Sequence, residues 1–199
     1  MADISIDEIK RLRTLTGVGI TDAKSALVSA EGDFDKALAA MRKKGLTKAE
    51  KRGEREARAG LIGSYVHDGR IGVLLEVNCE TDFVAKTDEF KELVKDLALH
   101  IAASAPEFVS LDDVSATARK DIENEYSENA KQGGKPADMV AKIVAGQVAK
   151  HYGEKCLLDQ PFVKNPDITV GDYVKEHVAK LGENIVVRRF TRIVLGEVN

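Results

Sequence analysis

Apolar residues recur at helical spacing three times in the first 41 residues, and polar or glycine residues separate the repeats. The first repeat ends at Thr16-Gly17-Val18-Gly19, the second begins at Thr21 or Asp22, and the third follows Gly32-Asp33. The apolar positions are, in order, Ile6, Ile9, Leu12, Leu15, Ala23, Ala26, Leu27, Phe34, Ala37, Leu38 and Met41. This pattern predicts a small three-helix module over residues 1–45.

The next segment, residues 46–60, is dominated by charged side chains and offers almost nothing to bury. Such a composition is typical of a solvated linker, part of which can be helical. We therefore place a domain boundary in this linker and assign residues 61–199 to a second domain.

Two β-rich runs, residues 61–66 and 70–78, flank His67-Asp68-Gly69, and Asp-Gly between such runs favours a tight hairpin. In the second run every other residue from Ile71 to Val77 is apolar, which predicts a strand with one face on a helix layer. Thr87 begins the matching helix, whose apolar positions before Pro106 are Phe90, Leu93, Val94, Leu97, Ala98 and Ile101.

Residues 112–131 and 136–151 form two polar helical patterns separated by Gln132-Gly133-Gly134-Lys135, with Pro136 in a first helical turn. They predict an antiparallel helical hairpin over residues 112–151. Because its apolar seam is thin, we expect the hairpin to project from the domain. The seam sets Val114, Ala118, Ile122 and Tyr126 against Met139, Ile143, Val144 and Val148.

A helix at residues 170–181 and a closing strand at residues 185–194 complete the pattern. The inward positions of that helix are Tyr173, Val174, Val178 and Leu181. The predicted class is therefore α+β: a three-helix module, a charged linker, and an antiparallel three-stranded sheet packed on helices with a projecting helical hairpin.

Composition narrows the classes of function. A net charge of -3, from 30 basic and 33 acidic residues among 199, disfavours strong direct binding to nucleic acid. No apolar run reaches the roughly 18 residues of a spanning helix and the N-terminus does not resemble a signal peptide, so we expect a cytoplasmic protein without membrane contact. Two separated cysteines, Cys79 and Cys156, predict neither a disulfide framework nor a zinc site.

The sequence lacks the motifs of catalysis and cofactor binding: a phosphate-binding glycine loop, a dinucleotide fingerprint, HExxH and GxSxG. Gly17-x-Gly19 is too short for a phosphate cradle and follows a helix, so we interpret it as a helix stop. Cys79 with His67 or His100 is one candidate for a nucleophile and its base, but a buried, inert cysteine is commoner at a strand end. We therefore expect no enzyme, no catalytic residue, no cofactor and no bound metal.

The segment from Glu76 to Lys86 lies between the best-defined strand and the best-defined helix, yet is not built like a turn. Within it, Phe83 follows Asp82 at the tip of a loop. In one interpretation Phe83 folds back as a lid on the core, which is the commoner fate of an aromatic residue. In the other it stands outward as an anchor for a partner, with the Asp82 carboxylate beside it. The residues alone favour the lid and leave both interpretations open.

Two motifs resemble those of a known family. Residues 76–86, with Thr81-Asp82-Phe83-Val84 at their centre, match the most specific motif of the elongation factor Ts family. The pattern Leu12-Arg13-x-x-Thr16-Gly17-x-Gly19-Ile20-x-Asp22-x-Lys24-x-Ala26-Leu27 resembles the N-terminal helical module of the same family, which is similar to ubiquitin-associated domains. Further similarity at residues 100–103, 133–136, 160–163 and 184–189 extends the resemblance over nearly the whole chain.

The resemblance implies a guanine-nucleotide exchange factor that binds elongation factor Tu, GDP-bound or nucleotide-free, and promotes GDP release during translation. It implies a bacterial cytoplasm as the location, ahead of an organellar matrix. In the family, the aromatic residue that matches Phe83 inserts between helices of the partner's nucleotide-binding domain, and the resemblance implies that Thr81, Asp82 and Val84 also bind the partner, with Asp82 in contact nearby. The positions that match N-terminal contacts to that domain are Leu12, Val18, Gly19 and Ile20.

This chain departs from longer members of the family because it holds one copy of a unit that they carry twice. Short members pair, so the resemblance implies a homodimer, formed through the edge of the closing strand. The alternative function is that of an RNA- or ribosome-associated factor that uses the basic residues Arg42, Lys43, Lys44, Lys51, Arg52, Arg55 and Arg58. The acidic residues interleaved with them weaken this alternative.

Overall fold

The computed structural model describes residues 4–133 and 137–197 of the chain. In chain order the helices are α1 (Ile6–Thr16), α2 (Ile20–Ser29), α3 (Phe34–Arg52), α4 (Asp82–Ala85), α5 (Asp88–Ser104), α6 (Ala116–Gln132), α7 (Ala137–Lys155) and α8 (Val170–Leu181). The strands are β1 (Ala59–His67), β2 (Ile71–Cys79), β3 (Pro161–Phe162), β4 (Asn165–Thr169) and β5 (Ile185–Val194). The predicted α+β class is confirmed. None of the described helices is both long and apolar enough to cross a membrane.

Local signals determine both ends of α1. Ser5 caps its beginning, because the Glu8 backbone N–H donates to the Ser5 hydroxyl at 3.1 Å while the Glu8 carboxylate accepts from the Ser5 backbone N–H. Gly17 ends the helix in the left-handed conformation, with φ of 65°. The predicted helix stop at Gly17 is thus confirmed.

The N-terminal module, residues 4–45, has a small core of its own. Leu12 and Leu27 are fully buried in it, together with Ile9, Ala23, Ala26, Ala37 and Met41. Ile6 and Leu15, which the periodicity placed on the inward face of α1, are exposed. The reason is that α2 and α3 cover only the middle of that face, where Ile9 and Leu12 lie.

Helix α3 continues through the first half of the predicted linker and ends only at Arg52. Its second half packs on α8, and Ala49 is buried in the main core together with residues of β2, α5 and α8. Two arginines fasten this contact: Arg42 forms an ion pair with Glu176 at 3.2 Å, and the Arg52 guanidinium donates to the Val178 carbonyl at 3.0 Å. Residues 46–52 are therefore helical, and Ala49 and Arg52 pack where the sequence suggested a solvated segment. Sequence patterns did not show this, because the partner of Arg52 lies 126 positions away.

The main sheet is antiparallel, with the strand order β1-β2-β5. The predicted hairpin between β1 and β2 is confirmed: Asp68 and Gly69 have φ of 47° and 66°, and the Arg70 N–H donates to the His67 carbonyl at 2.9 Å. Positive φ at both central residues is typical of the two-residue turn that matches strand twist. The pairing of β2 with β5 shifts register after Glu76, so Arg188 forms a bulge.

Helix α5 packs on one face of this sheet, as its periodicity predicts. Thr87 caps it, and Phe90, Leu93, Leu97 and Ile101 are fully buried. Strand β1 approaches closely at Gly63, where a Cβ atom would collide with the Val94 side chain. The resulting core joins β2 residues Val73, Leu75, Val77 and Cys79 to α5 and α8. On the opposite face of the sheet, Ile62, Leu74 and Ile193 are exposed.

Helices α6 and α7 form the predicted antiparallel hairpin, here called the arm. A small cluster of Val114, Tyr152 and Cys156 closes its base. Met139, predicted in the seam, is exposed, and the neighbouring Val140 is buried in its place. Ala118 is also exposed. The predicted glycine turn and helix start at residues 134–136 lie outside the described residues.

The sequence pattern missed β3 and β4, because strands of two and five residues carry too little alternation. Buried polar groups hold this small hairpin: the Val163 N–H donates to His100 Nδ1 at 3.1 Å, and Lys164 pairs with Asp96 at 2.6 Å. The Tyr173 hydroxyl donates to the same carboxylate at 3.0 Å. The hairpin is thereby fixed to both α5 and α8.

Candidate partner-binding site

The Phe83 ring stands outward from the junction of β2 and α5. Thr81 begins α4, a single helical turn, by accepting a hydrogen bond from the Val84 N–H at 3.4 Å. That turn directs the Phe83 side chain into solvent, where it is 79% exposed. The interpretation of Phe83 as a lid on the core is therefore wrong.

Side-chain hydrogen bonds hold the backbone under this ring. The Thr81 N–H and the Thr81 hydroxyl both donate to the Glu183 carboxylate, at 3.0 and 2.6 Å. The Cys79 thiol donates to the Thr81 carbonyl at 3.1 Å. On the far side of the turn, Lys86 pairs with Asp82 at 2.7 Å. The exposed ring is thus carried by an ordered segment.

A further layer of contacts ties this segment to the end of α3. One Glu80 carboxylate oxygen accepts from the Asn184 N–H at 2.6 Å and pairs with Arg55 at 3.5 Å. The Asn184 side-chain amide donates to the backbone carbonyls of Gly53 and Arg55, at 3.3 and 2.6 Å. Sequence reasoning missed Glu183. Glu80 lay within the motif of residues 76–86, Asn184 within a stretch of family similarity, and Arg55 was named only as a candidate RNA contact, because no periodicity links these residues.

An ion pair lies next to the ring. A hydrogen bond from Lys86 lowers the pKa of Asp82 below its ordinary value, so the carboxyl group is ionised at neutral pH. Its side chain remains 62% exposed despite the ion pair. Val84 is half-buried against the main core, and the Thr81 hydroxyl donates a hydrogen bond to Glu183. Within Thr81-Asp82-Phe83-Val84, Asp82 and Phe83 therefore project and the other two hold the backbone.

The four predicted N-terminal contacts differ in exposure. Ile20, the first residue of α2, is 57% exposed, and Gly19 caps that helix from an exposed position. Val18 is half-buried against the core of the module. Leu12 is 0% exposed, so it cannot touch a partner and acts only by supporting the module from inside. The helical period predicted this burial by placing Leu12 on the apolar face of α1, whereas the partner contact was implied only by the family resemblance.

Helix α8 connects the N-terminal contact positions with the segment that carries Phe83. Lys180 on α8 lies so close to Gly17 that a Cβ atom on Gly17 would be 2.6 Å from the Lys180 Cα. The same helix ends at Leu181 and leads directly to Glu183, the acceptor for Thr81. Ile20 and Phe83 are therefore held on one packed framework.

The candidate nucleophile Cys79 is buried, and burial raises the pKa of its thiol above the ordinary value. Its hydrogen-bond partner is a backbone carbonyl. His100 is bound to Gln160 at 2.9 Å and to Val163, and His67 lies at the β1–β2 turn beside Tyr65. Neither histidine is a hydrogen-bond partner of the thiol. Within residues 4–133 and 137–197, no group of three or more His, Cys, Asp or Glu side chains is arranged to hold a metal ion.

Basic residues in and after α3 make contacts within the chain. Besides Arg42, Arg52 and Arg55, Lys44 pairs with Asp22 at 3.4 Å and Arg58 pairs with Glu56 at 2.6 Å. A phosphate backbone would have to compete with these carboxylates. The pairing disfavours the alternative in which this region binds RNA.

Comparisons with known proteins match nearly the whole chain. A family model described as Elongation factor TS matches residues 45–197. An elongation factor Ts of Alkaliphilus oremlandii is 50% identical over 195 residues, which cover 98% of this chain and 90% of that protein. The elongation factor Ts of Desulfosudis oleivorans is 48% identical over 198 residues, covering 99% of this chain and 100% of that protein. A third, from Fervidobacterium nodosum, is 48% identical over 196 residues, with 98% and 100% covered.

Proposed function

The chain belongs to the elongation factor Ts family, and from that premise we propose that it is a guanine-nucleotide exchange factor that binds elongation factor Tu and promotes GDP release. The resemblance carried by the two motifs is confirmed by the match over the whole chain. The exposed Phe83 ring is the observation that carries the proposed activity.

An exposed ring on an ordered backbone is suited to insertion into an apolar pocket of another protein. Moving a phenylalanine side chain from water into such a pocket is favourable by about 1.5–3 kcal/mol. Because Glu183 and Cys79 already order the segment, little conformational entropy remains to be lost on binding. The ionised Asp82 beside the ring offers an acceptor to N–H groups or a basic side chain of the partner.

Release of GDP follows from coupled binding. If the chain binds nucleotide-free elongation factor Tu more tightly than the GDP-bound form, it weakens GDP binding by the same free energy, typically about 1–3 kcal/mol. Incoming nucleotide displaces the chain by the same reciprocity. With Phe83 as one contact and Ile20 as a second, the chain acts on the nucleotide site without making or breaking a bond.

The test replaces Phe83 by alanine and measures release of fluorescent GDP from purified elongation factor Tu. Truncating an anchor costs about 2 kcal/mol, which corresponds to roughly 30-fold weaker binding. Met139→Ala is the matched control, because Met139 is an exposed apolar residue on the arm. We expect Phe83→Ala to fold normally and to need much higher concentrations for the same release rate. The proposal is refuted if GDP release from elongation factor Tu has the same rate and the same concentration dependence with Phe83→Ala as with the wild type.

We further propose that the chain pairs with a second copy, and that the exposed apolar side chains on the face of the main sheet opposite α5 form the surface involved. Ile62 and Val66 on β1, Leu74 on β2 and Ile193 on β5 are all exposed on this face. Several exposed apolar side chains on one face of a sheet are typical of an interaction surface, and two sheets commonly pack face to face. This location differs from the expected edge of β5, because the exposed apolar side chains lie on the face of the sheet.

Light scattering over a range of concentrations tests the pairing. We expect the mass of a dimer for the wild type and of a monomer for Leu74→Glu, since a charge at the centre of the face opposes its burial. Val28→Glu, at a similarly exposed position in α2, should stay dimeric. A wild-type chain that remains monomeric at every concentration removes this proposal.

A further inference from the structure

The loop between α8 and β5, residues 182–184, faces two segments distant in sequence. Gly182 ends α8 in the left-handed conformation, with φ of 83°, and turns the chain toward β5. Glu183 then faces Thr81, and Asn184 faces the residues that follow α3. The loop therefore touches the Phe83 segment on one side and the exit from α3 on the other.

Asn184 fixes the loop itself. It is 4% exposed, its backbone N–H donates to Glu80, and its side chain donates to two carbonyls after α3. A buried amide with its donors satisfied holds one orientation, because losing those bonds leaves polar groups unpaired. The carboxylate of the adjacent Glu183 is consequently presented from a rigid position.

Glu183 acts on the turn that carries the ring. Its carboxylate accepts from both the N–H and the hydroxyl of Thr81. The same hydroxyl accepts from the Val84 N–H and so caps α4. Because the donor to Glu183 and the cap of α4 are one group, the orientation of α4 and of Phe83 depends on where Glu183 lies.

We propose that Glu183 is a positioning residue for Phe83: it orders the exposed segment from Thr81 to Lys86 so that the ring is aligned for binding before the partner arrives. This inference rests on the proposed exchange function and names a residue outside the motif that carries the ring. Thr81, Asp82 and Phe83 are exposed, so these bonds order a surface segment and add little to the packing of the core. The expected consequence of losing Glu183 is local.

The chain contains no tryptophan, which makes Phe83→Trp a single reporter at the site. In that background we expect Glu183→Ala to lower the fluorescence anisotropy of the indole. In the chain that keeps Phe83, Glu183→Ala should speed amide hydrogen exchange at residues 81–86 by about tenfold and leave the urea unfolding midpoint unchanged. The control is Glu107→Ala, which removes a carboxylate paired with Lys155 at the base of the arm.

A double-mutant cycle separates positioning from a general structural effect. Thr81→Val removes the shared hydroxyl, so Thr81→Val with Glu183→Ala should raise hydrogen exchange far less than the sum of the two single changes. Glu183→Gln keeps an acceptor oxygen and should restore part of the order. The inference is overturned if the effects of the two single changes on hydrogen exchange are additive. It is also overturned if residues 81–86 are as well ordered in Glu183→Ala as in Glu107→Ala.

The two proposals fail in distinguishable ways. The order of the segment is measured on the chain alone, whereas exchange is measured with elongation factor Tu. If the wild-type chain does not accelerate GDP release, the proposed function fails and the hydrogen-exchange result still decides the role of Glu183. If the wild type is active, Glu183→Ala should need about tenfold more chain for the same release rate, with an unchanged maximal rate. Wild-type concentration dependence of Glu183→Ala would count against positioning.

Discussion

Replacing Gly17 by alanine tests how the N-terminal module is held against α8. Two costs arise at this position. The residue has φ of 65°, where any side chain is strained by about 1–2 kcal/mol. In addition, the new Cβ would lie 2.6 Å from the Lys180 Cα, a backbone atom that cannot turn aside. Overpacking of this kind costs about 1–3 kcal/mol more.

Gly69→Ala supplies the matched control. Gly69 has φ of 66°, almost the same as Gly17, but a Cβ there would meet nothing within 4 Å. It therefore carries the backbone strain without the collision. We expect urea unfolding to show a loss of about 1–2 kcal/mol for Gly69→Ala and at least about 1 kcal/mol more for Gly17→Ala. If the module leaves α8 instead, unfolding should separate into two steps.

The same pair of variants addresses function. Displacing the module moves Ile20 relative to Phe83. At equal concentration, GDP release from elongation factor Tu should therefore be slower with Gly17→Ala than with Gly69→Ala. Equal losses of stability, with equal release rates, would refute the view that contact with Lys180 fixes the module.

Two further predictions concern the buried polar groups around β3 and β4. Burial lowers the pKa of His100 below 6.5, so as the pH falls below that value the unfolded chain takes up a proton that the folded chain resists, and stability decreases. His100→Asn should flatten this loss between about pH 7.5 and 5.5 in urea unfolding; an unchanged slope would contradict it. Tyr173→Phe removes a hydrogen bond to the buried Asp96 and should cost about 1–2 kcal/mol, whereas Tyr65→Phe, at an exposed pair with His67, should cost less than about 0.5 kcal/mol; equal losses would contradict this.

Much of the fold was predictable from the sequence, because its signals are local. The period of α5 and its Thr87 cap, the alternation in β2, and the Asp68-Gly69 turn each involve residues within a few positions of one another. The helix at Val170–Leu181 and the strand at Ile185–Val194 have the predicted bounds. Side chains that recur on one face of a helix or strand show which face is buried without reference to the partner.

Periodicity failed where burial depends on what covers a residue. Periodicity correctly placed Leu12 inside the N-terminal module, where the family resemblance implied a partner contact, but it also placed Ile6 and Leu15 inward, and both are exposed. In the arm, Met139 was predicted in the apolar seam but is exposed, and the adjacent Val140 is buried instead. A pattern identifies the apolar stripe of a helix; the neighbouring helices decide how wide a part of it they cover.

The sequence by itself determined the elements, the α+β class and, through two motifs, the family of this protein. Only the tertiary structure decided that α3 runs on to pack against α8, that the Phe83 ring faces solvent, and that Glu183 holds Thr81. The physical reason is distance along the chain: caps and periods act within about four residues, whereas Thr81 and Glu183 are 102 positions apart. They meet because the packing of α8 against α3 and α5 brings them together.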